Sequence, residues 1–154
     1  MGRVNLGVMP MVLWGIFFVV VAALAYVRLA PVDPQDWHKQ AYPSGMGERP
    51  GAKSFVWREP VEGDGAAKFR QLAKIISAAP RSTLVAGSVE AGQMTFVTRT
   101  PMIGFPDYTT IGIYQGLVED GDIRYLEVYG RSRFGRSDLG VNGKRIKGWL
   151  AALE

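Results

Sequence analysis

Arginine is concentrated in one short stretch of this 154-residue chain, YGRSRFGRSDLGVNGKR at residues 129–145. These arginines alternate with small and aromatic residues and precede a Ser-Asp pair, which is typical of the start of a helix. Guanidinium groups near the N-terminal end of a helix, where free amides carry partial positive charge, can hold a phosphate, a carboxylate or a lipid headgroup. A further arginine ends a predicted strand upstream. The candidate anion site therefore comprises Arg99, Arg131, Arg133, Arg136 and Ser137.

The same arginines also have a structural interpretation. They could pair with Asp138, Glu127 or Asp107 and lock the crossover from the last strand to the last helix, because guanidinium and carboxylate groups form bidentate pairs. Asn142 lies on the apolar side of that helix and must find hydrogen-bond partners there. We expect those partners to be backbone groups of the loop at residues 101–107. The residues assigned to this structural motif are Asp107, Asp138, Asn142 and Arg145.

Few residues could support catalysis. The chain has no cysteine and one histidine, His38, so a nucleophile–histidine pair and a usual zinc site are both excluded. No glycine-rich phosphate loop follows a predicted strand. We therefore predict no catalytic residue, no metal and no cofactor. The alternative is a hydrolase acting in the cell envelope through Asp107 and Asp138, which requires both carboxyl groups to lie in one pocket.

The N-terminal segment from Val4 to Val27 contains no charged residue. About 20 apolar residues in a helix are enough to cross the ~30 Å hydrocarbon core of a bilayer. We predict an uncleaved signal anchor that contacts the membrane through residues 8–28. A cleaved signal peptide is the alternative, with Ala23-Leu24-Ala25 as its cleavage site. Arg3 favours a cytoplasmic N-terminus, which would place the C-terminal domain of this single-pass chain on the periplasmic side of a bacterial cytoplasmic membrane.

The net charge of +4 is too small to predict nucleic-acid binding, and the residues that flank the anchor supply part of it. Basic residues near a membrane can instead meet anionic lipid headgroups. We predict a membrane-anchored accessory or binding domain rather than an enzyme. It would dock on a membrane-protein complex, or hold an anionic lipid or small molecule at the arginine cluster.

Composition divides the chain into an anchor at residues 1–30, a linker rich in proline and glycine at residues 31–53, and a soluble domain at residues 54–154. Apolar residues at 3- and 4-residue spacing predict helices over residues 66–79 and 138–153, with Leu139 facing inward in the second. The predicted fold is α+β, with an N-terminal transmembrane helix, a mainly antiparallel sheet of four to five strands with one buried face, and two helices packed on that face. Strands are predicted near residues 55–57, 83–87, 94–100, 108–117 and 123–129.

Four motifs in the domain are distinctive: Arg99-Thr100-Pro101, Phe105-Pro106-Asp107, Arg131-Ser132-Arg133, and GRSDLGVNGKR at residues 135–145. On these motifs the chain resembles, over roughly residues 54–152, an uncharacterised family that shares a domain of unknown function in bacteria, cyanobacteria and plastids. Gly143 departs from the family pattern, in which a larger residue is expected. The resemblance implies that the domain is a recurring module, and it implies no activity.

Overall fold

The computed structural model describes residues 8–42, 45–118 and 121–153. The chain divides into two compact units, Met1–Pro31 and Val32–Glu154. The first contains helix α1 (Val8–Leu29), whose 22 residues extend ~33 Å at 1.5 Å per residue. Residues Met9–Leu29 have a mean hydropathy of 2.3 and include no buried residue. By length and composition this helix can cross a membrane, as a signal sequence near the N-terminus also can. Arg3, on which the predicted orientation depends, lies outside the described residues.

The second unit is a six-stranded antiparallel sheet with two helices, which confirms the predicted α+β class. The strand order is β1-β2-β6-β5-β4-β3. The sequence predicted four to five strands, and the additional strand is β1, a short exposed edge strand whose four residues show no apolar alternation. The elements are β1 (Gly47–Pro50), β2 (Ser54–Pro60), α2 (Ala66–Ala78), β3 (Ser82–Ser88), β4 (Gln93–Arg99), β5 (Pro106–Val118), β6 (Gly121–Ser132) and α3 (Val141–Ala151).

One face of the sheet and the two helices enclose the hydrophobic core. Side chains that alternate along the strands point to this face, because successive residues of a strand lie on opposite sides. Asp64 accepts a hydrogen bond from the amide of Ala66 (2.9 Å) at the start of α2. The fully buried apolar side chains of the core are Phe69, Leu72, Ile76, Phe96, Ile111, Leu126, Val128 and Ile146.

Helix α3 packs close to the sheet at two glycines, one in the helix itself and one in β6. A Cβ atom on Gly143 would lie 2.9 Å from Cδ2 of Phe55, and one on Gly130 would lie 2.9 Å from Cδ1 of Ile146. The helix begins at Val141, three residues later than predicted. Leu139 therefore precedes the helix, and its side chain is 90 % exposed, so the prediction that it faces inward is wrong.

The opposite face of the sheet is covered at its centre by residues 33–42, here called the strap. The ring of Trp37 stacks on that of Tyr108, with centroids 4.1 Å apart and planes 19° apart. Ala41 is buried, whereas Tyr42 is 93 % exposed. The sequence predicted a sheet with one buried face, but the strap buries part of the second face as well. Within the range that composition marked as a linker, residues 33–42 contact the sheet and β1 extends its edge.

Candidate functional site

Asp107 and Ser132 are paired neighbours on β5 and β6, and they anchor a network of polar side chains. The hydroxyl of Ser132 donates to Oδ1 of Asp107 (2.6 Å). Nδ2 of the fully buried Asn142 donates to Oγ of Ser132 (3.0 Å). Nη2 of Arg145 forms an ion pair with Oδ2 of Asp107 at 2.9 Å. The network therefore fastens α3 to the adjoining ends of β5 and β6.

Asp138 caps the start of α3 from within the chain. Its Oδ1 accepts from the amide of Gly140 (3.0 Å), and its Oδ2 accepts from the amide (3.1 Å) and Nδ2 (2.8 Å) of Asn142. The hydroxyl of Ser137 accepts from the amide of Leu139 (3.1 Å). Free amides at a helix start attract anions, but here the chain's own carboxylate occupies that position. An external anion must therefore be held by side chains rather than by these amides.

The partners of Asn142 differ from those that the sequence suggested. Its hydrogen bonds go to the side chains of Ser132 and Asp138 rather than to the backbone of the loop at residues 101–107. The expected ion pairs also differ, because Arg145 is the residue that pairs with Asp107. The sequence interpretation missed this pairing because it considered only the arginines that precede α3 as partners of Asp107.

Asp107 and Asp138 line one cleft of about 250 Å³ at the end of the sheet, here called the terminal cleft. Its walls come from the loop that precedes β5 and from the segment between β6 and α3. The wall residues include Thr100, Phe105, Phe134, Ser137, Leu139 and Val141. Ring centroids of Phe105 and Phe134 lie 6.1 Å apart. The two carboxyl groups thus share a pocket, as the hydrolase hypothesis requires, and both accept hydrogen bonds from groups of the chain itself.

Arg131 lies beneath the strap and is only 6 % exposed. Its Nη2 donates to the carbonyl of Trp37 (2.7 Å) and to Oγ1 of Thr110 (2.5 Å), and its guanidinium carbon lies 4.1 Å from the ring centroid of Tyr129. Burial lowers the pKa of Arg131, and the charges of Tyr129 and Glu127 partly oppose that shift. Arg131 is therefore placed to hold the strap and is shielded from solvent.

Arg99 and Arg133 lie on either side of the start of β5. Arg99 pairs with Pro106 across the sheet, and the amide of Arg133 donates to the Pro106 carbonyl (3.3 Å). Both side chains therefore belong to the strap-covered face, which also carries Tyr108 two residues further along β5. Nη1 of Arg99 donates to the carbonyl of Gly104 (3.0 Å). Burial raises the pKa of the Tyr108 hydroxyl, while the charges of Arg133 and Arg99 oppose the rise.

The other predicted residues are distributed around this pair. Arg136 is exposed in the segment between β6 and α3, and it lies between two residues that line the terminal cleft, Gly135 and Ser137. Arg133 is half-buried, with its guanidinium carbon 5.1 Å from the ring centroid of Phe134, another lining residue. The structure therefore divides the arginines into Arg99, Arg133 and Arg136 around the start of β5 and the end of β6, here called the arginine rim, and Arg131 under the strap.

A buried ion pair on the strap-covered face was missed by the sequence interpretation. Arg58 and Glu127 are paired across β2 and β6, with Nη2 of Arg58 2.7 Å from Oε2 of Glu127. The amide of Ala41 donates to Oε1 of Glu127 (2.8 Å), and Nη2 of Arg58 donates to the carbonyl of Tyr42 (3.0 Å). Burial raises the pKa of Glu127 and outweighs the opposing effect of these donors and of Arg58. Glu127 alternates with the apolar Leu126 and Val128, a pattern that predicts a solvent-exposed side chain. No side-chain pattern predicts that the strap covers this face.

His38 also belongs to the strap contact, since its Nδ1 lies 2.9 Å from Oγ1 of Thr95. Within the described ranges, no group of three His, Cys, Asp or Glu side chains is placed to hold a metal ion. A second cavity, of about 420 Å³, lies between β2 and the start of α2. Its acidic lining includes Glu59, which forms an ion pair with Lys68.

Comparison with known sequences identifies one family. The model of the family described as "Protein of unknown function (DUF1499)" matches residues 29–153. The match begins at the end of α1 and includes the strap, the whole sheet and both of its helices. Comparison with curated proteins finds no match.

Proposed function

The chain belongs to the DUF1499 family of proteins of unknown function, and we propose that its second compact unit is a non-enzymatic binding domain that holds an anionic group at the arginine rim. The observation that carries the proposal is the position of Arg99 and Arg133 on either side of Pro106, which places their side chains on one face of the sheet, with the exposed Arg136 three residues further along the chain. Guanidinium groups present several fixed donors that match phosphate and carboxylate oxygens.

Binding is favoured over hydrolysis by the contacts of the two carboxyl groups in the terminal cleft. Oxygen atoms of Asp107 accept from Ser132 and Arg145, and those of Asp138 accept from two backbone amides and Asn142. A carboxylate has about four lone-pair sites, and groups of the chain itself take two of those of Asp107 and three of those of Asp138. These contacts support a role for both carboxylates in positioning α3.

Thermal unfolding of the full chain in mild detergent, with inorganic phosphate titrated at constant ionic strength, tests the proposal. A ligand that binds only the folded state stabilises it by RT ln(1 + [L]/Kd), which is ~2.7 kcal/mol at one hundred times Kd. We expect phosphate to raise the melting temperature of the wild type and of Lys74→Gln, which removes one exposed charge on α2. We expect no phosphate effect in the Arg99→Gln/Arg133→Gln double variant.

The melting temperature of each variant in phosphate is compared with that of the same variant in chloride. A change in stability that is present without phosphate therefore does not affect the comparison. A wild type that does not respond to phosphate, or a double variant that responds as the wild type does, would contradict the proposal. Arg131→Gln separates the structural role from the binding role. Because Arg131 holds the strap, we expect that variant to lose stability in chloride.

We also propose that α1 stays attached as a single-pass anchor with the N-terminus in the cytoplasm and the domain on the periplasmic side. The support is the length of α1 and its mean hydropathy of 2.3. The chain has no cysteine, so Lys74→Cys provides one labelling site in the domain. We expect a membrane-impermeant maleimide to label it in intact spheroplasts, and the purified protein to have the mass of the full chain. A mature N-terminus after Ala25 would refute the anchor, and labelling only after lysis would refute the orientation.

A further inference from the structure

We propose that the strap covers a binding site for a small monovalent anion of the chloride class, held by Arg131 and by the hydroxyl of Tyr114. The site goes beyond the proposed function, because Arg131 does not belong to the arginine rim and is shielded from solvent. Three features support the site: the unpaired donors of Arg131, the balance of charge beneath the strap, and the position of the Tyr114 hydroxyl.

Arg131 has two buried donors that no acceptor meets. The residue is 6 % exposed, and its Nε and Nη1 have no hydrogen-bond partner among the described residues. Nη2 donates to the carbonyl of Trp37 and to Oγ1 of Thr110, so both of its hydrogens are used. Leaving a buried donor unpaired is costly. An acceptor from outside the chain would remove that cost.

The charges beneath the strap do not balance. Arg58 and Arg131 are both buried there, and within the described ranges Glu127 is the only acidic side chain that the strand registers place on this face. Glu127 forms its ion pair with Arg58. The acidic residues of the strap, Asp33 and Asp36, are exposed. A buried charge needs a counter-charge, so the acceptor that meets Arg131 is an anion rather than water alone.

The hydroxyl of Tyr114 provides a further donor near Arg131. A Cβ atom on Gly112 would lie 2.5 Å from this hydroxyl, so the hydroxyl lies over Gly112. Nη2 of Arg131 bonds to Thr110, the preceding residue on the same face of β5. Two residues of a strand span ~6.6 Å, roughly twice the ~2.7–3.2 Å length of a hydrogen bond, which leaves room for one acceptor between the two groups.

Tyr114 can donate to that acceptor but cannot replace it. Its hydroxyl is buried and has no partner in the part of the chain that the structure describes. Burial raises the pKa of Tyr114, so the hydroxyl stays protonated at neutral pH. The side chain therefore offers a hydrogen bond and supplies no negative charge to balance Arg131.

The geometry of the unpaired donors favours a monatomic anion. Carboxylate and phosphate are held best by two parallel N–H groups on adjacent nitrogens of a guanidinium. Both such edges of Arg131 include Nη2, whose hydrogens already bond to Trp37 and Thr110. Nε and Nη1 point in different directions, and a spherical halide accepts from either of them without a preferred orientation. Chloride is therefore the class of ligand that fits.

Thermal unfolding of the full chain in mild detergent tests the site, with sodium gluconate replaced by sodium chloride at constant ionic strength. We expect the melting temperature to rise by roughly 5 °C when chloride reaches ten times its Kd. We expect the same rise in Arg99→Gln/Arg133→Gln, which keeps Arg131. A wild type that does not respond to chloride would overturn the proposal, as would loss of the response in this double variant.

Tyr114→Phe removes the proposed donor, and Tyr125→Phe is its matched control. The Tyr114 hydroxyl has no partner among the described residues, so we expect no loss of melting temperature in gluconate and a chloride response at least twofold smaller. The Tyr125 hydroxyl accepts from Nε2 of Gln40 (2.6 Å). We expect Tyr125→Phe to have a lower melting temperature in both salts and an unchanged chloride response. A chloride response in Tyr114→Phe equal to that of the wild type would overturn the assignment of Tyr114.

Bromide locates the anion directly, because it replaces chloride and scatters X-rays anomalously. In crystals of the full chain grown with bromide, we expect an anomalous peak within hydrogen-bond distance of Nε or Nη1 of Arg131. A map without a peak there would overturn the site. A protein that phosphate stabilises through the arginine rim but that shows no chloride response would refute this site alone, and the reverse result would refute the proposed function alone.

Discussion

Substitution of Trp37 by alanine tests whether the strap is an integral part of the folded domain. Trp37 is half-buried, stacks on Tyr108 with centroids 4.1 Å apart, and lies 5.6 Å from the guanidinium carbon of Arg131. Its carbonyl also accepts from Arg131 and Thr110, and an alanine at this position keeps that carbonyl. The substitution therefore removes the ring contacts while the backbone contacts remain available.

The expected loss follows from those ring contacts. A packed tryptophan buries ~150–250 Å², so a half-buried ring removes ~100 Å² from water, which is worth ~2.5 kcal/mol at ~25 cal/mol per Å². The aromatic stack adds ~0.5–1.5 kcal/mol, and the cation–π contact adds ~0.5 kcal/mol. The total is about 3.5–4.5 kcal/mol, which for a domain of this size lowers the melting temperature by roughly 10–18 °C.

Thermal unfolding of the full chain in mild detergent, followed by near-ultraviolet circular dichroism, measures this loss. The matched control is Tyr42→Ala, because Tyr42 is an aromatic residue of the same segment that is 93 % exposed. We expect the control to change the free energy of unfolding by no more than ~0.5 kcal/mol, as is usual for surface positions. Equal and small effects of the two substitutions would show that the strap does not contribute to folding, and the reasoning would be refuted.

Two further predictions concern Glu127 and α3. Because the folded-state pKa of Glu127 is raised above its ordinary value of 4.5, the free energy of unfolding should decrease as pH rises from about 4.5 through the folded-state pKa. Glu127→Gln should lack this part of the pH dependence in denaturant titrations, and identical slopes would contradict the assignment. Gly148→Ala has open space around its Cβ and should gain up to ~1 kcal/mol from helix propensity. Gly143→Ala, whose Cβ would lie 2.9 Å from Phe55, should instead lose ~1–3 kcal/mol through overpacking, and equal gains at both glycines would refute the close approach of α3.

Apolar periodicity predicted the elements that enclose the core, because residues buried in the core are apolar and therefore recur at the period of the helix or strand that carries them. Leu126 and Val128 alternate with polar residues and are fully buried in β6. Phe69, Leu72 and Ile76 follow a helical spacing and cover the same core from α2. β1 lacks this signal because its residues are held by strand pairing with β2 and contribute no buried side chain. The connection between the strands predicted at residues 108–117 and 123–129 falls partly outside the described residues.

The strap could not be predicted from side-chain patterns because much of its contact with the sheet is made by its backbone. The carbonyls of Trp37 and Tyr42 and the amide of Ala41 meet buried polar side chains of the sheet. Every residue carries these groups, so composition gives no sign of them. If the strap is left out of account, polar residues such as Glu127 and Arg131 have the pattern of an ordinary solvent-exposed sheet face.

Sequence reasoning named residues for the candidate site but assigned partners that differ from those in the structure. Hydrogen bonds connect Asp107, Asp138, Asn142 and Arg145 in one network. Which acid meets which base depends on how α3 and the strands pack against one another, and spacing in the sequence does not show that packing. The arginines closest in sequence to Asp138 were assigned to carboxylates that Arg58 and Arg145 pair with instead.

The two polar networks differ in how completely folding pairs their polar groups. One binds the strap to the sheet through Arg58, Glu127 and Arg131, and the other binds α3 to β5 and β6 through Asp107 and Asn142. Unpaired buried polar groups are costly. The carboxylate of Asp107 and the amide of Asn142 hydrogen-bond to side chains of the same network, so folding alone explains the second network. In the first, Nε and Nη1 of Arg131 are buried without a hydrogen-bond partner among the described residues, so folding alone leaves two of its donors unpaired.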